Sequence, residues 1–234
     1  MTNILLTGSS RGIGAAIVTA LDLPGVALIG QATRSTDANT IAADFADPAA
    51  PQAVWQAALD RFGGSIDVLV NNAGVFEANP LGDDDWVGGW ERTLRINLTA
   101  SAELCRLAVL HWQQRGMPGR IVNVASRAAY RGDSPAHWHY AASKAGMVAM
   151  TKTIARGYAR ENILAFAVCP GFTMTGMAED YLASRGGDKL LADIPLGRVA
   201  DPAEVATTVK FLALEAPPSM TGAVIDVNGA SYVR

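Results

Sequence analysis

Thr7-Gly8-Ser9-Ser10-Arg11-Gly12-Ile13-Gly14 is the stretch of this sequence that most strongly predicts its fold. An apolar run at residues 3–7 leads into it, and a helix-compatible run at residues 15–21 follows it. Glycines permit positive φ and a close approach of the backbone to a ligand, and the N–H groups at a helix N-terminus attract phosphate. The pattern therefore indicates a strand, a pyrophosphate-binding turn and a helix. Its spacing differs from the general G-x-G-x-x-G fingerprint, so a turn that only packs the helix against the strand is the alternative.

The rest of the chain alternates strand-like apolar runs with helical patterns, which predicts an α/β fold with a parallel sheet. Only about ten residues separate the second strand from the third, too few for a full crossover helix, so we expect a shortened loop there. The predicted strands are residues 3–7, 26–30, 40–43, 66–70, 120–125, 163–168 and 223–227. The predicted helices are residues 15–21, 51–62, 83–112 as one helix or two joined ones, 140–160 and 202–214.

The composition places limits on function. The chain has 234 residues, of which 50% are hydrophobic, and no linker-like segment, which fits one α/β domain. A formal charge of −3 gives no electrostatic case for binding nucleic acid or an anionic membrane. There is no signal-peptide pattern and no apolar window of membrane-spanning length, and Cys105 and Cys169 are expected to be buried free thiols. These features predict a cytoplasmic location. The three histidines show no spacing typical of metal ligands.

Tyr140 and Lys144 are the candidate catalytic pair. Positions i and i+4 lie on the same face of a helix, so both side chains are expected to face the same cavity. A nearby cation favours phenolate and lowers a tyrosine pKa from its usual value near ~10, which would make the phenol a general acid/base. Tyr-x-x-x-Lys also occurs by chance. Ser126 strengthens the case, because a hydroxyl at the end of the fifth strand could bond the same substrate oxygen.

The sequence around the second strand bears on the choice of nucleotide. NAD-binding proteins commonly have an acidic residue there for the ribose 2′-hydroxyl, whereas residues 30–34 contain no carboxylate. Arg11 and Arg34 could both reach a 2′-phosphate, which favours NADP(H) over NAD(H). The alternative is that both are ordinary surface residues. Further on, Asp44-Phe45 is placed to face an adenine, and Asn97 is either a tolerated polar position in a helix or a kink that binds water or backbone.

Taken together, the motifs resemble those of the short-chain dehydrogenase/reductase family along essentially the whole chain, nearest in look to the 3-oxoacyl-carrier-protein reductases. The matching motifs, in family order, are TGSSRGIG at residues 7–14, NNAG at 71–74, Asn97, Ser126, YAASK at 140–144 and PGFTMT at 170–175. The resemblance implies a Rossmann fold with a doubly wound, seven-stranded parallel sheet. It also implies that Tyr140 is the acid/base, that Lys144 lowers its pKa and bonds the nicotinamide ribose, that Ser126 orients the carbonyl and that Asn97 holds a water in a proton relay.

The residue patterns and the resemblance together imply a nicotinamide dinucleotide site and no metal site. The expected cofactor-binding residues are Gly8, Ser10, Arg11, Ile13, Gly14, Arg34, Asp44, Phe45, Asn72, Ala73, Gly74, Tyr140, Lys144, Pro170, Gly171, Thr173 and Thr175. We expect a single NAD(P)-binding Rossmann domain over residues 1–234, with a substrate-binding loop or lid at about residues 172–200. The resemblance further implies a homotetramer, with a homodimer as the alternative.

The predicted function is hydride transfer between a nicotinamide dinucleotide, with NADPH favoured, and a carbonyl or secondary alcohol substrate. The shortened loop after the second strand suggests an alternative, an NAD-dependent alcohol or dihydrodiol dehydrogenase. A cofactor-binding sensor or scaffold without turnover is the non-enzyme alternative. The loop between Ser126 and Tyr140 is slightly longer than is common in the family, and we expect Arg127, Arg131, His137 and His139 within it to reshape the substrate pocket.

Overall fold

A computed structural model describes residues 1–34, 37–175 and 187–234. Its strands form one seven-stranded sheet in the order β3-β2-β1-β4-β5-β6-β7, and every neighbouring pair is parallel. This confirms the predicted doubly wound Rossmann sheet. The strands are Thr2–Thr7 (β1), Val26–Ala32 (β2), Thr40–Ala42 (β3), Val68–Asn71 (β4), Gly119–Val124 (β5), Ile163–Pro170 (β6) and Val224–Val227 (β7).

Helices cover both faces of the sheet. They are Gly12–Ala20 (α1), Ala50–Arg61 (α2), Trp86–Leu94 (α3), Ala100–Arg115 (α4), Ala128–Arg131 (α5), Trp138–Tyr158 (α6), Gly187–Ala192 (α7) and Pro202–Leu214 (α8). A π-helical turn, Arg95–Thr99, joins α3 to α4, and short 3₁₀ turns occupy Ala159–Glu161 and Pro218–Met220. None of the helices in the described ranges is both long enough and apolar enough to cross a membrane.

The connection between β2 and β3 is short, as expected. β2 ends at Ala32 and β3 begins at Thr40, and the described part of the connection contains only bends and turns. The loop is held at its far end by Asp37, whose Oδ1 accepts hydrogen bonds from the N–H of Asn39 at 2.8 Å and from the hydroxyl of Thr40 at 2.9 Å. The shortened crossover is therefore confirmed.

The hydrophobic core lies on both faces of the sheet because side chains alternate along each strand. In β1, Leu5 faces the layer that contains α2, α4 and α6, while Ile4 and Leu6 face the layer that contains α1 and α8. All three β1 side chains are fully buried. This two-sided burial explains why the strands of the sheet are continuous apolar runs.

The strand order reverses between β1 and β4, which are neighbours in the sheet although β2 and β3 separate them in sequence. In open α/β sheets, ligands bind at the carboxyl ends of the strands at such a point. Leu6 pairs with Val70 in the sheet register. The glycine-rich turn after β1 and the Asn-Asn-Ala-Gly segment after β4 therefore emerge side by side.

Candidate active site

The glycine-rich turn closes tightly on the first helix. Gly8 has φ +67°, and a Cβ on Gly14 would collide with the carbonyl oxygen of Gly8. Helix α1 begins at Gly12, and its N-cap residue Arg11 makes no side-chain cap. The first N–H groups of an α-helix have no intrahelical acceptor, so those of α1 remain available to an anion. This turn fits a dinucleotide pyrophosphate by its backbone donors.

The segment after β4 is bonded to the same turn. The Thr7 hydroxyl oxygen accepts hydrogen bonds at 3.0 Å from the N–H groups of both Asn72 and Ala73. The Asn72 side-chain amide donates to the carbonyl oxygens of Thr7 at 3.2 Å and Gly8 at 3.0 Å. A Cβ on Gly8 would lie 2.7 Å from Ala73 Cα, so only glycine fits there. Asn72 thus acts mainly by joining the two strand ends.

Tyr140 and Ser126 lie near the carboxyl end of β5, close enough that the Ser126 side chain lowers the pKa of the Tyr140 phenol. The Ser126 side chain is oriented, because its Oγ accepts a hydrogen bond from the N–H of Ala128 at 3.1 Å. Burial nevertheless raises the pKa of Tyr140 to about 12, and the opposing effect of Ser126 is smaller. The expected lowering of this pKa by Lys144 is therefore wrong for the chain on its own, because desolvation of the phenolate dominates.

Lys144 is buried beside Tyr140, at 5% exposure. Its Nζ lies 5.8 Å from the centre of the Tyr140 ring and donates a hydrogen bond to the carbonyl oxygen of Val124 at 2.9 Å. Burial lowers the pKa of Lys144 to about 8. The ammonium is thus aimed into the protein at the tips of the strands rather than at bulk solvent, although its hydrogen bond goes to a main-chain carbonyl and not to the phenol.

Asn97 lies in the π-helical turn, so the expected kink is present. Its Oδ1 accepts a hydrogen bond from the N–H of Val75 at 2.8 Å, and its Nδ2 donates to Val75 O at 3.0 Å and to Ser143 Oγ at 3.2 Å. A Cβ on Gly74 would lie 3.2 Å from Asn97 Oδ1 and 3.6 Å from Lys144 Nζ. The structure therefore brings Asn97 and Lys144 together beneath Gly74. The water-holding role of Asn97 stays a prediction, since its side-chain amide is committed to protein groups.

Residues 170–175 lead from the end of β6 to the glycine-rich turn. Pro170 ends the strand, and Gly171 packs so closely on Asn228 that an added Cβ would lie 2.8 Å from Asn228 Cβ. Thr173 is 7% exposed, and its hydroxyl donates to Gly171 O at 3.2 Å. The Cγ2 atom of Thr175 lies 3.0 Å from the position of a Cβ on Gly12. The segment thus reaches back to the start of α1.

The expected adenosine-end residues are only partly in position to meet a ligand. Arg11 and Arg34 are exposed, and within the described ranges neither guanidinium has a hydrogen bond or ion pair. Ser10 is also exposed and Ile13 is partly so. Asp44 is exposed and accepts a hydrogen bond from the N–H of Ala46 at 2.9 Å. Phe45 differs from expectation, because its side chain is 3% exposed and belongs to the hydrophobic core, which leaves only its backbone to face an adenine.

Two residues of the site were missed by the sequence analysis. Phe76 stacks on His137 with ring centres 3.9 Å apart and meets the Tyr140 ring edge-on at 4.7 Å, so it forms a wall beside the reactive phenol. Gln31 donates to Ala43 O at 2.7 Å and accepts from the N–H of Gly8 at 3.0 Å. A glutamine inside an otherwise apolar buried strand was the available signal for Gln31. Phe76 had no distinguishing pattern.

The other expected pocket residues of the Ser126–Tyr140 loop divide into two groups. His137 lies on Phe76, and its Nδ1 is 2.6 Å from the hydroxyl of Ser134. His139 is 2% exposed and so is a core residue rather than part of an open wall. Arg127 and Arg131 converge on Asp193. Among the described residues no group of three His, Cys, Asp or Glu side chains is placed to bind a metal ion.

Comparisons with known proteins agree with this geometry. A family model described as enoyl-(acyl carrier protein) reductase matches residues 8–230. The 3-oxoacyl-(acyl-carrier-protein) reductase FabG of Vibrio cholerae is 36% identical over 243 residues, which cover 98% of this chain and 96% of that protein. The 3-oxoacyl-(acyl-carrier-protein) reductase of Synechocystis is 36% identical over 241 residues, covering 96% of this chain and 94% of the relative.

A solved structure extends the likeness to three dimensions. It comes from Agrobacterium tumefaciens, is provisionally described as a 2-deoxy-d-gluconate 3-dehydrogenase, and contains bound NADP. It is similar to this chain with a TM-score of 0.88 and 27% sequence identity, covering 100% of this chain and 97% of its own. The family match over nearly the whole chain, the two reductase relatives and this fold likeness lead to one assignment. The chain belongs to the short-chain dehydrogenase/reductase family of NAD(P)-dependent oxidoreductases.

Proposed function

We propose that this enzyme reduces a carbonyl compound to a secondary alcohol, with NADP(H) as the favoured cofactor and Tyr140 as the proton donor. The observation that carries the proposal is the grouping of three side chains at the carboxyl end of β5: the Tyr140 phenol, the Ser126 hydroxyl that acts on its pKa, and the Lys144 ammonium bonded to Val124 O. The Lys144 ammonium lies 5.8 Å from the Tyr140 ring centre. Two hydroxyls and a buried cation at the ligand-binding edge of the sheet are what carbonyl reduction requires of the protein.

The protonation state of Tyr140 suits the proton-donating step of carbonyl reduction. Because burial raises the pKa of this phenol to about 12, it carries its proton at neutral pH and can give it to a carbonyl oxygen. A bound reduced dinucleotide would supply the hydride for the carbonyl carbon. Ser126 donates a hydrogen bond to the same oxygen, and the Lys144 ammonium offsets the charge that develops on Tyr140.

Several features support NADP(H) as the cofactor. The end of β2 has no carboxylate that would bind a ribose 2′-hydroxyl or repel a 2′-phosphate, while Arg11 and Arg34 are exposed nearby. The Agrobacterium structure with similar fold contains NADP. The pyrophosphate would meet the backbone of Ser10, Ile13 and Gly14. The remaining contacts that we propose are those of Gly8, Asp44, the Phe45 backbone, Asn72, Ala73, Gly74, Lys144, Pro170, Gly171, Thr173 and Thr175.

Residues 1–234 form, in this proposal, a single NAD(P)-binding domain, and about residues 172–200 form its substrate-binding side. Residues 176–186 of that loop lie outside the described residues. The names of the curated relatives point to 3-oxoacyl compounds as one substrate class. Phe76, stacked against His137, supports an aromatic wall for the substrate beside Tyr140.

We also propose that the enzyme is a cytoplasmic homotetramer, or else a homodimer. Two free, buried cysteines, Cys105 and Cys169, fit a reducing compartment. A groove between α4 and α6, lined by Leu110, Met150 and Tyr158 among others, offers an apolar surface on which a second copy could pack. Sedimentation velocity checks the assembly: a species of two or four chains is expected, and a monomer at micromolar concentration would contradict it.

The function is tested by following the oxidation of reduced nicotinamide in the presence of a panel of ketones and 3-oxo esters. We expect turnover with NADPH and a lower kcat/KM with NADH. A higher kcat/KM with NADH would overturn the cofactor assignment and favour an NAD-dependent dehydrogenase. Tight binding of NADPH without turnover of any carbonyl compound in the panel would favour a sensor or scaffold.

A further inference from the structure

Two arginines next to the catalytic serine converge on one carboxylate oxygen. Arg127 directly follows Ser126, and its Nη1 lies 3.4 Å from Asp193 Oδ2. Arg131, at the end of α5, has its Nη1 2.6 Å from the same oxygen. Arg131 also donates to the carbonyl oxygen of Ser231 at 3.2 Å. The two guanidiniums therefore form a preformed site for one carboxylate.

Arg127 is held rigidly within this site. It is 8% exposed, its guanidinium lies 4.9 Å from the centre of the Phe172 ring, and its backbone N–H donates to Pro170 O at 2.9 Å. Arginine stays charged even when it is buried, so a buried guanidinium needs acceptors. Across the ranges that the structure describes, its one side-chain hydrogen bond is the long one to Asp193. Most of its donors therefore remain available to an incoming acceptor.

The Asp193 carboxylate is placed so that a carboxylate of a ligand could displace it from the two arginines. It follows α7, and its side chain is 45% exposed. The neighbouring Arg131 holds the pKa of this carboxyl below its usual range, so it is charged at neutral pH. Exposed ion pairs contribute little stability, because water competes for both partners. A second carboxylate that also gains contacts elsewhere in the site could therefore displace Asp193.

The arginine pair is linked to the proposed catalytic residues through Arg127. Arg127 directly follows Ser126, whose side chain lowers the pKa of the Tyr140 phenol. Asp133 acts electrostatically on both Arg127 and Tyr140, and its carboxylate lies 4.0 Å from His137, which stacks on Phe76 beside the Tyr140 ring. Asp133 and Asp193 are the two acidic groups that face the arginines there, and Asp133 is already engaged with the N–H of Ser134 at 2.8 Å. Displacement of the Asp193 carboxylate would leave the guanidiniums of Arg127 and Arg131 to bind the incoming anion.

We propose that Arg127 and Arg131 bind a carboxylate of the carbonyl substrate in place of Asp193, which makes the enzyme a reductase of oxo acids. This inference rests on the proposed carbonyl reduction and names the substrate class. The planar fork of a guanidinium matches the two oxygens of a carboxylate, so an oxo acid would be held with its carbonyl towards Ser126 and Tyr140. The proposal separates this enzyme from a reductase of acyl thioesters, whose 3-oxoacyl chain has no free carboxylate.

The test compares 3-oxo, 4-oxo and 5-oxo carboxylates with their methyl esters, using the full-length enzyme and NADPH. The readout is the ratio of kcat/KM for each acid to that for its ester. We expect a ratio above one for at least one chain length in the wild type. Arg127→Met and Arg131→Met should each lower that ratio roughly tenfold to hundredfold, as expected for the loss of a charge-assisted contact. Asp193→Asn should raise it.

Arg156→Met is the matched control, since Arg156 is an exposed arginine on α6 that has no hydrogen bond or ion pair to any described residue. Its acid-to-ester ratio should equal that of the wild type. Arg131 is partly exposed, so its variant keeps the test decisive if Arg127→Met does not fold. Ratios near one at every chain length, or ratios that neither arginine variant changes, would overturn the inference. Turnover of esters in that case would leave the proposed reductase function intact, whereas no turnover of acids or esters would contradict that function.

Discussion

At the scale of single residues, the burial of Lys144, one of the proposed catalytic pair, costs the protein stability. Desolvation moves the pKa values of Tyr140 and Lys144 away from the charged form, to about 12 and about 8 respectively, and of the two only Lys144 is charged in the unfolded chain at neutral pH. A buried cation with one main-chain hydrogen bond is poorly compensated for its lost hydration. Functional sites commonly hold such unfavourable groups, and removing them often stabilises the fold at the expense of activity.

Lys144→Met should therefore raise the melting temperature at pH 7 by several degrees while reducing turnover. The pKa of Lys144 falls from 10.5 to about 8 on folding, so the folded state disfavours the charged form. At pH values below 8 both states are protonated and the cost is complete. Between pH 8 and 10.5 the folded state loses the proton first and the cost is relieved, so the gap between variant and wild type should narrow as pH rises.

Thermal unfolding of both proteins without cofactor, from pH 6 to pH 10, measures this gap. Lys152→Met is the control, because Lys152 lies on the same helix as Lys144 but is exposed. A lower melting temperature for Lys144→Met at pH 7 would contradict the electrostatic account.

We expect Arg11 and Arg34 to determine the nucleotide preference. Replacing each with alanine should weaken NADPH binding roughly tenfold while leaving NADH binding nearly unchanged, because a charge-assisted contact to a 2′-phosphate would be lost. Fluorescence titration of both nucleotides measures the effect. Arg61→Ala, which removes an exposed arginine bonded to Ala38 O, is the control. Equal losses for the two nucleotides would assign the arginines to another part of the dinucleotide.

At the scale of secondary structure elements, the glycine-rich turn is the most constrained part of the site. Gly14 lies in the first turn of α1, where its missing Cβ lets the helix meet the carbonyl of Gly8. The π-helical turn between α3 and α4 is a second specialised element, since it turns the Asn97 amide onto both backbone groups of Val75. These two elements fix the edges of the crevice in which the dinucleotide would lie.

Gly14→Ala should abolish NADPH binding and lower stability by about 2 kcal/mol or more, because the added methyl group meets backbone rather than a movable side chain. Gly157→Ala is the matched control in α6. Nothing lies within 4 Å of the position of its Cβ, so alanine there should stabilise the protein by up to about 1 kcal/mol. Urea unfolding and nucleotide titration of both variants check the prediction, which fails if Gly14→Ala binds NADPH like the wild type.

At the scale of the whole molecule, the order of strands and helices was predictable because it follows from periodic burial. Buried runs such as residues 163–168 and the apolar face of α2 predicted the sheet and its covering layers, and the brief β2–β3 connection followed from chain length alone. Element ends were less predictable. β6 continues to Pro170 and β2 to Ala32, because pairing with β7 and β3 extends each strand beyond the run that the sequence pattern marks.

The contacts of the site were less predictable than the identities of its residues. The order of the motifs predicted that Ser126, Tyr140 and Lys144 belong to the site. The raised pKa of Tyr140 depends on the desolvation of its side chain, which the spacing of residues in the sequence does not predict. The core position of Phe45 depends on the path of the chain after β3. Asp193 meets Arg127 and Arg131 across more than sixty residues of sequence, and nothing local marks such a partner.

Proton delivery by the Tyr140 phenol is the step on which the proposed carbonyl reduction depends. The most direct measurement is kcat/KM for Tyr140→Phe with NADPH and a ketone that the wild type reduces, alongside NADPH affinity by fluorescence and Tyr158→Phe as control. The account predicts a loss of roughly 10² to 10⁴ in kcat/KM for Tyr140→Phe, with nucleotide binding retained and the control unchanged. A Tyr140→Phe enzyme that retains a kcat/KM within about threefold of the wild type would contradict it.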